Sequence, residues 1–369
     1  MIFFIIVFIF YAIFIGFSII GSQINFSSSK SIKYFRPSKE NFLTIIVPFR
    51  NEENRINNLL SSIENQENLG CINQFIFVDD HSSDCSVEII RNWSLNKNFK
   101  CQILSLKSDF GKKKAIDYGV KSSNSEFIMT IDADITFPHC FFGNLKNNLL
   151  FKSDLYLVSV IENNGLFISR IISLVIGLIT MGMANLKLPI LANGAGLIFR
   201  KSTYIKLQPF YSNFHISSGD DVFLLKSFIK NGNLISTISG NSLTIQTQGS
   251  QSFKSLLLRS LRWSGKMKIS GLLSSNFIGL LIVFCNLSMF PLVFFYLKYS
   301  YDTALFLILF KLIIDSMVLI VASVKFKEYS MLKYTFPMFV IYPFILVLIV
   351  LLGLSNYDQK WKGRKVISA

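Results

Sequence analysis

Two carboxylates, Asp132 and Asp134, stand one residue apart in TIDADITFP, at the end of the apolar run FIMTI. In an extended chain alternate side chains share a face, so both acids are expected to project together from one strand tip. Like charges that close repel. The pattern therefore means either a solvated turn or a neutralising cation, for which a divalent ion held through oxygen is the usual choice. Other groups capable of chemistry sit at similar breaks: PFRNEEN from residue 48, DDHSSD from 79, GKKKAI from 111, GDD from 219 and RSLRWSGKMK from 259. Each also has a plain structural reading. Asp or Ser in DDHSSD suits a helix N-cap, NEE at 51–53 suits the positive end of a helix dipole, and GKKKAI reads as a helix start whose extra lysines, Lys113 and Lys114, are solvated. GDD reads equally as an N-cap. Short motifs taken singly do not separate the two readings.

The elements that must position these groups alternate. FLTIIVP reads as a buried strand, 52–66 as a helix, NQFIFVDD as a strand and SVEIIRNWSLN as a helix; CQILSL is a strand, 112–122 a helix and EFIMTID a strand. Such alternation predicts an α/β fold with a Rossmann-like, mostly parallel sheet built from right-handed βαβ units. Ligands of such sheets bind beyond the carboxyl ends of the strands, which is where the polar clusters fall.

Composition adds a membrane. With 51% hydrophobic residues, 37 Phe and only 16% charged residues, the chain is too apolar for an ordinary soluble domain. Residues 2–20, 269–297 and 334–357 carry no charge, and 303–324 is broken only by Lys311 and Asp315, spaced to pair on one helix face. The first run lacks a basic flank and a small-residue cleavage site, so an anchor is expected rather than a signal peptide. The predicted organisation is an anchor at 1–21, one sizeable domain at 40–268, a membrane region at 274–357 with about three apolar helices, and a basic tail at 358–369. Lys30, Lys33, Arg36 and Lys39 against Glu40 place the domain in the cytoplasm, with a bacterial inner membrane as the expected location. Within the domain, 171–184 is uncharged but only 14 residues long. A crossing there would separate Asp134 from Asp221, so 165–188 is expected to be interfacial or buried. Residues 251–268 read as a basic amphipathic helix, with Lys254, Arg259, Arg262, Lys266 and Lys268 beside Phe253, Leu257 and Leu261. The tail poses a conflict: its lysines favour the cytoplasm, whereas one anchor and three later crossings put it outside, unless 334–357 dips and returns at Pro337 and Pro343. The net charge of +15 comes without any nucleic-acid-binding pattern, so anionic lipid is the expected partner and nucleic acid is not. Cys71, Cys85, Cys101, Cys140 and Cys285 show no CxxC and no metal spacing, which fits reduced structural thiols.

Taken in order, VPFRNEEN, VDDHSSD, GKKKAIDYG, TIDAD, NGAGLIFRK at 193–201, GDD and RSLRW resemble the membrane-anchored inverting glycosyltransferases of family 2 over about residues 42–268. The branch is that related to ceramide glucosyltransferase, hyaluronan synthase and cellulose synthase-like enzymes. The resemblance implies an A-type glycosyltransferase fold in which Pro48, Arg50 and Glu52 lie at the nucleotide base and Asp80 or Asp79 bonds its ring nitrogen. It implies Asp132 near the ribose and metal, Asp134 on a Mg2+ or Mn2+ that bridges the donor diphosphate, and Lys112 on that diphosphate. Gly194 and Ala195, with Gly196, would let the sugar approach the backbone, and Asp221 would be the base. Asp220 stands where the family carries Glu. Arg262 would face the diphosphate and Trp263 would stack on the acceptor, while Arg259 replaces the Gln of processive members and weighs against polymer synthesis. The implied function is transfer of a sugar from a nucleotide-sugar donor to a membrane-associated acceptor, lipid or glycan, at the cytoplasmic face. The alternative is a non-catalytic membrane-anchored nucleotide-sugar-binding or glycan-assembly subunit, against which the retention of Asp132, Asp134 and Asp221 weighs.

Overall fold

The computed structural model describes residues 1–24, 41–95, 97–149, 151–270, 273–354, 360–361 and 364–365. After α1 (Ile2–Gln23) the chain runs β1 (Leu43–Phe49), α2 (Ile56–Glu64), β2 (Ile72–Asp79), α3 (Ser86–Ser94), β3 (Lys100–Ser105), α4 (Lys112–Ser122), β4 (Phe127–Thr130), β5 (Ile135–Thr136) and α5 (Phe141–Asn148). It continues through β6 (Leu155–Val158), β7 (Val160–Asn164), α6 (Phe167–Asn185), β8 (Leu197–Arg200), α7 (Lys201–Leu207), α8 (Asp220–Lys230), β9 (Ile235–Ile238) and β10 (Ile245–Gln248). The helices α9 (Phe253–Ser270), α10 (Leu273–Leu287), α11 (Met289–Tyr299), α12 (Asp302–Phe326) and α13 (Thr335–Leu354) follow.

Two compact units result. The α/β unit comprises Phe26–Asn163, Leu191–Gln248 and Gln359–Ala369; the helical unit comprises Met1–Asn25, Asn164–Ile190 and Gly249–Asp358. The expected 40–268 domain thus lends two segments, 164–190 and 249–268, to the helical unit. The main sheet has the order β3-β2-β1-β4-β8-β6-β9. Strand β1 pairs in parallel with both β2 and β4, and all its residues are buried, which is why its sequence is a continuous apolar run. Phe75, Phe127, Phe141 and Phe142 are buried around it, each worth about 1.5–3 kcal/mol of apolar transfer. The exception to the parallel pattern is β8, antiparallel to β4 and β6. Its first residue, Leu197, lies opposite Thr130 at the end of β4, so the NGAG segment arrives beside the DAD turn.

Several boundaries differ from expectation. Helix α2 starts only after Arg55, because the Glu52 carbonyl accepts from the amides of Arg55 and Ile56 at 2.9 and 2.8 Å and makes a turn of NEEN. Strand β4 stops at Thr130, and Asp132 and Asp134 lie in the turn leading to β5 rather than on a strand tip.

In the helical unit α1 and α6 meet backbone to backbone. A Cβ on Gly182 would lie 2.0 Å from the Ser18 carbonyl oxygen, and one on Gly21 would lie 2.1 Å from that of Gly182. The Asn185 amide donates to the carbonyls of Gly21 and Ile24 at 3.0 and 3.1 Å. Tyr11 donates to Asp315 at 2.8 Å, Lys311 pairs with Asp315 as the spacing implied, and Lys325 donates to the Ser22 carbonyl at 2.7 Å. The links 11–315 and 22–325 make α1 and α12 parallel. At the other end of α6, Arg170 pairs with Glu328 at 2.6 Å and Phe167 stacks on Tyr334 at 4.4 Å. Both ends of α6 therefore bond to the same end of the α1–α12 pair, and the helix lies across that end.

Five described helices have the length and composition to cross a membrane: Ile2–Gln23, Phe167–Asn185, Leu273–Tyr299, Asp302–Phe326 and Tyr329–Gly353. The second was expected from its 14-residue uncharged run to be too short, but it extends to 19 residues. Its apolar window is 72% buried, against 22–33% for the others, which agrees with its crosswise packing. Helix α13 is continuous through Pro343, so 334–357 does not dip and return over its described length. The basic tail lies mostly outside the described residues.

Candidate functional site

The carboxyl edge of the sheet gathers the polar clusters through two laced loops. The Asn51 amide donates to the Ser82 hydroxyl at 3.1 Å and the Ser83 amide to the Asn51 side chain at 2.8 Å. The Glu52 amide donates to the Ser86 hydroxyl at 2.7 Å, and Glu53 and Asp84 exchange bonds with each other's neighbourhood through the Glu53 and Cys85 amides, both at 3.1 Å. Burial pushes the Asp84 carboxyl up, but the bonds it accepts from the Ser86 hydroxyl and the Glu53 and Ser86 amides win and hold it below the usual carboxylate range. Asp84 thus bonds the first amide of α3 at 3.1 Å, although the N-cap position itself is Cys85. The first two acids of DDHSSD do something else. Asp79 accepts from the Ser82 amide at 2.9 Å, closing the turn. Asp80 accepts the Gly111 amide at 3.0 Å, and its carbonyl accepts from Arg50 at 2.9 Å, so it ties β1, β2 and the start of α4 together. Gly111 sits at φ +103°, where a side chain is strained. Pro48, in register with Val78, and the buried Glu52 complete this corner.

Next to it lies a second charged group. The Lys112 ammonium is 2.7 Å from both Asp132 Oδ1 and Asp220 Oδ2. Burial disfavours its charge, yet the two carboxylates outweigh that and hold its pKa above the ordinary lysine value. Gly194 borders the pair so closely that a Cβ would fall 2.7 Å from Asp220 Oδ2 and 3.1 Å from Lys112 Nζ. Buried Ala195 follows, its amide bonded to the Asn193 side chain at 3.0 Å. Asp220 and Asp221 are both buried in the first turn of α8, whose positive end favours carboxylates. The N-cap is Gly219, so neither acid plays the capping role weighed for GDD.

Asp134 is not beside Lys112. Its Oδ2 lies 3.5 Å from Arg55, which also approaches Glu52 at 4.0 Å. The acid pair is thus balanced by two different cations, and Arg55, placed by the NEEN turn, was not anticipated. Lys113 is a second correction. Expected in solvent, it is buried and donates to the carbonyl and side-chain oxygens of Asn213 at 2.8 and 2.9 Å, 4.1 Å above the Phe223 ring. It pins the loop that delivers Asp220 and Asp221, a role that only a lysine on the inner face of α4 can play. Lys114 lies over Phe214 at 4.1 Å and pairs with Asp109 at 3.3 Å. Arg262 and Trp263 lie on α9, in the helical unit, so the α/β unit by itself gathers the other candidate residues without them.

This arrangement has counterparts. The model of glycosyl transferase family 2 matches residues 44–203. An undecaprenyl-phosphate 4-deoxy-4-formamido-L-arabinose transferase of Edwardsiella ictaluri is 29% identical over 98 residues, covering 26% of this chain and 30% of that protein. A probable glycosyltransferase of Sulfolobus acidocaldarius is 23% identical over 273 residues, covering 70% and 56%. The chain therefore spans less than two thirds of the length of these curated relatives. Among solved structures, a mannosyltransferase from Pyrobaculum calidifontis, in complex with GDP-Man and Mn2+, superposes with a TM-score of 0.55 at 15% identity, covering 97% of this chain and 99% of that one. That likeness is one of fold. The segment carrying β1 to β8 is thus similar in sequence to glycosyl transferase family 2, and the sheet with its antiparallel β8 is similar in fold to a solved glycosyltransferase.

Proposed function

We propose that the chain is an inverting, metal-dependent glycosyltransferase that moves a sugar from a nucleoside diphosphate donor to a lipid acceptor at the cytoplasmic face of a membrane. The observation that carries the reading is the Lys112 ammonium held between Asp132 and Asp220 beside Gly194, at the edge where sheets of this kind bind ligands. Arg50, Glu52 and the Asp79–Asp80 corner would receive the nucleotide base, with Pro48 as the floor. Lys112 and the backbone at Gly111 would hold the diphosphate, and the small Gly194 and Ala195 would leave room for the sugar ring. Asp221 would accept the proton of the acceptor hydroxyl as that oxygen attacks the anomeric carbon from the face opposite the leaving group.

Asp132 and Asp134 would hold a Mg2+ or Mn2+. The donor set fits in kind, being two carboxylates one residue apart in the turn after β4, the oxygen ligands a hard dication takes; an ion would displace their present partners, Lys112 at 2.7 Å and Arg55 at 3.5 Å. Bound there, the ion supplies charge neutralisation to the leaving diphosphate. A lipid acceptor is supported by the apolar helices and by the relative named for an undecaprenyl-phosphate transfer. Membranes containing the protein, given labelled nucleotide sugars, should place label in the organic-solvent extract and lose this on chelation. Label confined to polymer would exclude the lipid acceptor, and no incorporation from any donor would exclude the activity.

A further inference from the structure

Away from the donor edge, a carboxylate, an imidazole and a thiol meet between two loops. Glu67 follows α2, and His139 and Cys140 precede α5. Glu67 Oε1 is 3.1 Å from His139 Nδ1, Cys140 Sγ is 3.9 Å from the same nitrogen, and one ligand atom of each residue lies within 4.8 Å of the others. Four-coordinate zinc, with bonds of about 2.0 Å to nitrogen or oxygen and about 2.3 Å to sulfur, places neighbouring ligand atoms about 3.3–3.5 Å apart. The observed separations straddle that range, so small side-chain rotations close the set. The backbone beneath is already fixed. The Glu67 amide donates to the His139 carbonyl at 3.3 Å, Gln66 donates to the Pro138 carbonyl at 2.8 Å, and the Phe142 amide donates to the Gln66 side chain at 3.3 Å. Phe141 and Phe142, fully buried next door, anchor α5 in the core. Glu67 and His139 are exposed, which leaves a path for an ion and an open position for water.

We propose that Glu67, His139 and Cys140 form a second metal site, separate from the acid pair at Asp132 and Asp134, for a divalent ion of the zinc class. The thiolate and carboxylate together neutralise a dication, binding displaces the thiol proton to solvent, and sulfur selects zinc or cobalt over magnesium and manganese. An ion there ties the end of α2 to the start of α5, the elements that flank Arg55 and Asp134 in sequence.

The test uses the full chain in detergent, stripped of metal and titrated with Co2+ as a spectroscopic probe. A thiolate-to-cobalt charge-transfer band should grow to saturation, be erased by Zn2+ and persist under excess Mn2+. Cys140→Ser should abolish it, while Cys85→Ser, Cys101→Ser and Asp134→Asn should keep it. His139→Ala should weaken Zn2+ binding by at least the roughly 10–100-fold that losing an outer-shell partner costs. Absence of the band in the wild type, or an unchanged band in Cys140→Ser, would overturn the site.

Discussion

Lys112 links the stability of the α/β unit to the proposed chemistry, since its ammonium is ion-paired to both Asp132 and Asp220. Its raised pKa means that the stabilisation from Asp132 and Asp220 is complete below the ordinary lysine value of about 10.4 and is lost only as pH rises through the still higher folded value. The two carboxylates therefore favour the charged ammonium. Replacing it by Met removes the cation from two acids, one of them partly exposed and so partly screened, and thermal denaturation should report a loss of about 1–2 kcal/mol. Donor affinity should fall in the same variant; wild-type affinity would show that Lys112 does not meet the diphosphate. For the base, Asp221→Asn should retain donor binding and lose about 100- to 10,000-fold in transfer rate. Should Asp220→Asn be the inactive variant while Asp221→Asn turns over normally, the two acids exchange roles.

At the scale of elements, the site depends on close approaches that motifs do not announce. Gly194→Ala inserts a carbon 2.7 Å from Asp220 Oδ2. Initial rates should drop sharply while the melting temperature changes little, because the clash is met by moving side chains at the surface of the sheet. Lys113→Met removes the donor shared by both oxygens of Asn213 and should cost about 1–3 kcal/mol, with faster proteolysis in the 208–219 loop. Equal stability would mean that the loop is held by other contacts. That NEE, DDHSSD, GKKKAI and GDD gather at the carboxyl edge of one sheet was legible from the alternation of strands and helices. What they bond to was not, since Asp80 reaches Gly111 and Lys113 reaches Asn213 only once α4 has packed.

For the whole molecule, the parallel run of α1 and α12 yields a prediction about which side each end occupies. If α1 enters the cytoplasm, α10–α11 leave it, α12 returns and the continuous α13 leaves again. The prediction is an external C-terminus, in defiance of the tail's lysines. A cysteine at Ser368, outside the described residues, in a version lacking the five native thiols should react with an impermeant reagent on intact cells. Labelling only after permeabilisation would mean that one of these helices does not cross.

Amphipathic alternation and apolar runs are local properties, and they were enough to specify the α/β class, the central burial of β1 and the apolar helices at both ends. The order of motifs likewise pointed to the family whose model matches residues 44–203. Pairings between distant segments are set by packing, which local pattern does not encode. Nothing in NGAGLIFRK says that its strand runs antiparallel to β4, yet that reversal is what brings Gly194 to Lys112. Nothing in DAD says that its acids face two separate cations, because Arg55 is aimed by a turn and Lys112 by a helix. Cys140 looked like an isolated thiol because its partners for metal chemistry, the adjacent His139 and the distant Glu67, converge only where two loops are bonded together over a phenylalanine core.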